Sequence, residues 1–284
     1  LACAAQEVRI RRWGAEDRMP YAWSSDDRIL YGVKGDGAYY DVHACRPDGS
    51  ACRVLVTGAS QPAFLPDGRA LAVHSWRSDD KGLVVVDASG TGRMMWRITS
   101  QIEAARPAID AAGRAVYHAR DEGDRQARLW RSDGGSIVAL RYDAAALMGR
   151  APVWTPDGRI VYAGCAGDAC GILVVGAAGG APRQVVAGGD ETAPEVSPDG
   201  VHVAFMSRRN GNWDVYVAPL AAGDSLRRIT HAAAADGLPA WSPDGRWLAF
   251  VSNRGGAWAV WAVPIGGGLP TGEPIRLFPI GGPV

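Results

Sequence analysis

The sequence predicts an all-β fold: six four-stranded antiparallel sheets gathered into one closed ring. Two observations carry this. A hairpin signature, an apolar residue followed by Ser, Thr or Leu and then Pro-Asp-Gly, recurs at intervals of about 41 to 45 residues, the period of one sheet in a ring-shaped β fold. Each copy is followed by the same order of short strands, apolar first and polar last. No long helical pattern competes with this reading. The nearest candidate, alanine-rich Asp143 to Met148, fits a loop or a single helical turn between the third and fourth units.

The intact copies are Phe64-Leu65-Pro66-Asp67-Gly68, Trp154-Thr155-Pro156-Asp157-Gly158, Val196-Ser197-Pro198-Asp199-Gly200 and Trp241-Ser242-Pro243-Asp244-Gly245. Two degraded copies, at Trp23 to Asp27 and Ile109 to Gly113, complete the set. Proline presets φ and Asp-Gly accepts the turn geometry, so this run closes the hairpin between the first and second strands of a unit. The second strand is apolar and ends near an aromatic residue or valine, as in Ile29-Leu30-Tyr31, Val203-Ala204-Phe205 and Leu248-Ala249-Phe250. A polar, glycine-bearing loop follows, and then a third strand such as Trp213 to Val217 or Trp258 to Ala262. A more polar fourth strand closes the unit, as in Arg53 to Thr57 and Leu226 to Thr230.

A sheet apolar on both faces has to be covered on both faces. Packing each unit against its neighbours around an axis does this, and ring closure leaves no end sheet exposed. Six copies therefore predict a six-bladed β-propeller as a single domain over 1–284, with repeats at about 19–60, 61–104, 105–149, 150–191, 192–236 and 237–284. Pro274 to Phe278 supplies a fourth strand to the last unit. Residues 7–18 read as a closing strand at the seam between first and last units.

Lysine plus arginine equals aspartate plus glutamate, 30 against 30, so no summed field draws the chain to nucleic acid. No apolar run reaches the roughly 18 residues of a spanning helix, and no membrane span is expected. The start, Leu1 to Gln6, is too short for a whole signal peptide and reads as already processed or trimmed.

Two cysteine pairs are close in sequence, Cys45 with Cys52 and Cys165 with Cys170, each separated by turn residues. They read as disulfides closing hairpin-like loops, with free buried thiols or a metal site as the alternatives. Disulfides place the chain in an oxidising compartment: periplasm, cell surface or secreted. Cys3 follows Leu1-Ala2 as a lipid-bearing cysteine would follow the end of a lipoprotein signal; an ordinary terminal cysteine, or one paired with a segment since removed, is the alternative.

The run Pro-x-Trp-Ser-Pro-Asp-Gly, the aromatic-ended strand, the Ser-Arg/Asn-x-Gly loop and the Arg-x-Ile/Leu-Thr strand resemble the TolB-type, WD40-like β-propeller repeat. The likeness is densest at Thr192 to Thr230 and Gly237 to Phe278 and thinnest in the third unit, where Ala111-Ala112 replace Pro-Asp. The resemblance implies that the Pro-Asp-Gly turns are scaffold and that the adjoining Trp or Phe fills the wedge between blades. It also implies a fold shared by TolB, by the propeller halves of prolyl-oligopeptidase-like peptidases and by bacterial surface proteins. The N-terminal α/β domain of TolB and the Gly-x-Ser-x-Gly elbow of those peptidases have no counterpart here, so a binding role is expected rather than either identity.

No Ser-His-Asp or Cys-His set stands out, no glycine run joins a strand to a helix, and neither catalysis nor a cofactor is expected. His74 and His118 share one repeat position in adjacent units; they are the weak metal candidates, with Asp79, Asp121 or Glu122 as carboxylate partners. Eleven tryptophans are many for this length. Trp76, Trp213 and Trp258 lie in or beside the loops joining second and third strands, with Arg77, Arg208, Arg209 and Arg254 near them. Together they form a candidate binding rim, against the plainer reading that Trp213 and Trp258 pack on the next sheet. The leading expectation is a protein- or peptide-binding module of a cell-envelope or surface assembly. A carbohydrate-binding or polysaccharide-acting propeller is the second, and a structural unit of a surface layer or filament the third.

Overall fold

The structure, a computed structural model, describes residues 18–23, 28–34, 40–65, 70–75, 82–87, 92–97, 101–121, 126–132, 136–221 and 225–280. All of its regular structure is strand. The first sheet runs Arg18–Trp23, Ile29–Lys34, Tyr40–Cys45 and Arg53–Val56; the second runs Ala59–Phe64, Ala70–Ser75, Gly82–Asp87 and Gly92–Arg97. The third unit comprises Gln101–Ile109, Ala115–Asp121, Arg128–Ser132 and Ile137–Ala139, and the fourth Met148–Trp154, Arg159–Ala166, Ala169–Gly176 and Gly179–Ala187. Pairing of Arg128 with Met148 joins these two units into one eight-stranded sheet. The fifth comprises Thr192–Val196, His202–Ser207, Asp214–Pro219 and Arg227–Arg228. In the sixth, Asp236–Trp241, Trp247–Ser252 and Ala259–Gly266 are completed by Ile275–Pro279, as expected of the C-terminal strand. The short strand Leu269–Pro270 pairs with the end of Ala259–Gly266. Cys3 and residues 7–17 of the expected closing strand lie outside the described residues.

The segment 143–148 departs from the expected loop or helical turn. Arg141–Tyr142 and Ala145–Ala146 pair as a small hairpin, with Asp143 at φ 52° in its turn. The buried side chains of Leu140 and Leu147, at the two ends of the hairpin, fix it in the core shared by the third and fourth units. Tertiary burial of these leucines outweighs the helix propensity of the alanines.

Side chains alternate across each strand, so successive residues enter different cores. Ile29 packs with Ala249, Val251 and Val260 of the sixth unit, whereas its neighbour Leu30 packs with Leu71, Val73 and Val84 of the second. Each core cluster of the described residues draws on two units in this way, second with third, third with fourth, fourth with fifth and fifth with sixth.

The Pro-Asp-Gly turns form a chain of their own. A Cβ on Gly200 would lie 3.2 Å from the Pro156 ring of the preceding unit, and one on Gly245 would lie 3.8 Å from the Pro198 ring. Both glycines also have positive φ, 71° and 70°. Geometry and space therefore both call for glycine. In the degraded third turn Asp110 substitutes for the usual hydroxyl, accepting the amides of Ala112 and Arg114.

The first strands carry a feature that periodicity does not announce. Gln61, Ala151, Ala193 and Leu238 have φ of 55°, 48°, 51° and 53°, and each directly precedes a proline. At each of them the register with the second strand shifts by a bulge. Proline supplies no N–H for the ladder, and the bulge accommodates that break.

Candidate binding rim

The loops after the second strands of the fifth and sixth units start from Ser207 and Ser252. Each turns tightly: the Gly211 amide donates to the Arg208 carbonyl at 2.7 Å and the Gly256 amide to the Asn253 carbonyl at 3.0 Å. These turns set Arg209 and Arg254 in equivalent places. Arg209 lies over the rings of Phe205 and Tyr216, at 6.0 and 5.4 Å, and Arg254 over Phe250 and Trp261, at 5.1 and 5.0 Å. Arg209 Nη2 donates to Glu191 Oε1 at 2.5 Å, and Arg254 Nη2 to Asp236 Oδ2 at 2.8 Å. The side chains of both acids are buried, at 1% and 0% exposure. Glu191 fits so closely that a Cβ on Gly188 would collide with its carboxylate.

A cation shelved on two aromatic faces and paired with a buried carboxylate is tied to neighbouring strands of its own sheet. Arg209 and Arg254, two of the sequence-predicted rim residues, are thus each engaged by a buried acid, with side chains 26% and 19% exposed. The acids Glu191 and Asp236 were missed by the sequence reading. Their signal was present, since the acid precedes its arginine by 18 residues in both units.

Next to this network Asp214 is buried, with Arg228 Nη2 at 2.7 Å and the Thr230 hydroxyl donating to it at 3.2 Å. Burial pushes its carboxyl above the usual carboxylate range despite the pull of Arg228 and Thr230, and the nearby Asp236 adds to the rise.

Trp258 is half-buried and packs into the core shared by the first and sixth units, in line with the plainer reading of that residue. Arg208 is different. Its side chain is 51% exposed and lies 5.0 Å over the Trp213 ring, with Asp190 Oδ2 3.8 Å from its Nε. Asp190 also accepts the Ser207 hydroxyl at 3.0 Å and the Arg208 amide at 3.1 Å, which fixes it beside the guanidinium. Trp76 and Arg77 lie outside the described residues.

His74 and His118 are buried, at 1% and 6% exposure. His118 Nδ1 accepts the amide N–H of Ala151 at 3.2 Å, the residue of strained φ in the fourth unit. That use of the ring is structural. Among the described residues no group of three His, Cys, Asp or Glu side chains is gathered as a metal would require. Asp79, Glu122 and the side chain of Asp121 lie outside the description. Both cysteine pairs are disulfides: Cys45–Cys52 ties the end of the third strand of the first sheet to the residue before the fourth, and Cys165–Cys170 joins the second and third strands of the fourth unit.

The fold has solved counterparts. TolB from Acinetobacter baumannii is 17% identical with a TM-score of 0.70, over 84% of this chain and 61% of that one. A gluconolactonase from Xanthomonas campestris is 15% identical with a TM-score of 0.64, over 88% of this chain and 86% of that one. An oligogalacturonate lyase from Vibrio parahaemolyticus is 14% identical with a TM-score of 0.60, over 92% and 77%. At these identities the likeness is one of fold, and this chain spans under two thirds of the Acinetobacter TolB. No curated protein matches by sequence. The family model for the TolB beta propeller domain matches residues 119–273, more than half of the chain, which therefore belongs to the TolB β-propeller family.

Proposed function

We propose that the chain is a closed, six-bladed propeller acting outside the cytoplasm as a non-catalytic module that binds a protein or peptide. Closure is supported by the core in which Ile29, Tyr31 and Cys45 of the first sheet pack with Val260 and Phe278 of the sixth unit. The two disulfides support an oxidising compartment.

The observation that carries the binding role is Arg208 over Trp213. Here an exposed guanidinium is held by an aromatic face and flanked by Asp190, beside two equivalent-looking arginines that are locked into the scaffold. Aromatic and arginine anchors on a rigid frame suit a partner with a carboxylate or backbone carbonyl to accept and an apolar group to stack. An affinity capture from cell-envelope extract with wild type and Arg208→Glu tests this. A partner held by wild type and lost by the variant supports the role; a partner held equally by both removes this rim from it.

A second reading, a carbohydrate-binding or polysaccharide-acting propeller, is favoured by the fold shared with the oligogalacturonate lyase. Binding to a glycan array that is lost in Trp213→Ala, together with turnover of the bound glycan, would select it.

A further inference from the structure

We propose that the Cys45–Cys52 disulfide is a redox-addressable latch on the seam between the first and sixth units, opened from its Cys52 side by a dithiol reductant. This goes beyond ligand binding and does not depend on which ligand the rim takes.

The placement of this bond carries the inference. Cys45 is fully buried and belongs to the core cluster that joins the first sheet to Val251, Val260, Phe278 and Ile280 of the sixth unit. Its loop is pressed on the same strand: a Cβ on Gly49 would lie 3.1 Å from Phe278 Cβ, and Gly49 has φ 77°. The Tyr31 ring lies 5.7 Å from the Phe278 ring, and its hydroxyl is 3.2 Å from Cys45 Sγ. A disulfide sulfur carries no proton, so the tyrosine donates. One bond thus fixes the loop, the buried sulfur and the tyrosine that together face the last strand. The second disulfide, Cys165–Cys170, lies in the fourth unit, which contributes nothing to this cluster.

The two sulfurs differ in access, since Cys52 is exposed and Cys45 is not. Thiol–disulfide exchange needs an accessible sulfur, so a thiolate of the reductant attacks Cys52 Sγ. The S–S bond breaks, Cys45 leaves with the bonding pair and takes one proton, and Tyr31 is placed to donate to it. The second thiol of the reductant then attacks its own sulfur in the mixed disulfide, closing the reductant's disulfide. Cys52 is released as a thiolate that takes the second proton, 3.3 Å from the Gly49 carbonyl. Two electrons pass from the dithiol to the cysteine pair. The loop 46–52 is then held by its turn hydrogen bonds and its contact with Phe278, and the seam loses its covalent brace.

Native-state hydrogen exchange tests this in the full chain. Dithiothreitol applied to the Cys165→Ala/Cys170→Ala variant reads the seam disulfide alone. The expected result is that amides of Ile29–Lys34 and Ile275–Pro279 exchange about tenfold faster or more on reduction, while those of His202–Ser207 stay within about twofold. Cys45→Ala/Cys52→Ala, where it folds, should reproduce the fast exchange without reductant. Seam amides unchanged on reduction overturn the proposal, as does an equal acceleration in every sheet, or a seam already fast in oxidised Cys165→Ala/Cys170→Ala.

Discussion

Trp241 of the sixth unit donates its indole N–H to the backbone carbonyl of Glu195 in the fifth, at 3.2 Å. Trp154 makes the same bond to Ala108 at 3.1 Å, and in both pairs the partner lies 46 residues upstream. The repeat tryptophan thus fills the wedge between neighbouring units and also satisfies a carbonyl of the bulged first strand. Trp241→Phe keeps most of the filling and removes this one hydrogen bond, and should cost about 0.5–1.5 kcal/mol. Trp241→Ala should cost about 3–5 kcal/mol. Urea unfolding of the two variants checks the order and the gap.

Arg254 and Arg208 should separate stability from binding. Arg254→Met leaves the buried Asp236 carboxylate, whose Oδ1 already has no hydrogen-bond partner among the described residues, without its cation. Breaking one side of such a pair costs about 3–5 kcal/mol. Arg208→Ala, at a half-exposed site, should change stability by no more than about 0.5 kcal/mol while weakening partner binding. Equal stability losses in the two would contradict the division between scaffold and rim.

His118 should behave as a hydrogen-bond acceptor and not as a metal ligand. His118→Leu strands the Ala151 amide and should cost about 1–3 kcal/mol. His118→Asn retains an acceptor near the position of Nδ1 and should recover part of that loss. Thermal unfolding with and without added zinc reads both points, with no zinc-dependent shift expected in wild type.

Acidification should destabilise the fold through the turns. Asp157, Asp199 and Asp244 are held below the usual carboxylate range, chiefly by side-chain hydrogen bonds from Arg159, Ser197 and Ser242 respectively. Groups with depressed folded values contribute stability above their unfolded value and lose it as pH falls through the folded one. Unfolding free energy should therefore decline below the ordinary carboxylate range, and Asp199→Asn should flatten that decline. Asp214 acts in the opposite sense. Its raised value favours the protonated form in the folded chain, so its contribution falls as pH rises through that value.

The repeat was legible because turn chemistry is local. Proline before Asp-Gly fixes a hairpin whatever surrounds it, and glycines such as Gly200 follow from that turn. The disulfides were legible for the same reason, each spanning one hairpin. The rim was only half legible, since Arg208, Arg209 and Arg254 look alike in sequence. What separates them is a buried acid from a different strand, Glu191 or Asp236, and burial is a tertiary property. The hairpin at 141–146 was missed because alanines carry little pattern, and two flanking leucines decide its position. The strained residues before proline in the first strands were missed because Ala151 or Leu238 by type gives no hint of positive φ.

Whether the ring is sealed is read by a double-mutant cycle between Tyr31 and Phe278. Their rings lie 5.7 Å apart across the seam between the first and sixth units. With Tyr31→Leu, Phe278→Leu and the double variant, a sealed ring should give a coupling energy of about 0.5–1.5 kcal/mol in urea unfolding. Additive losses, with no coupling beyond error, would mean that the two ends of the chain do not pack on each other in solution.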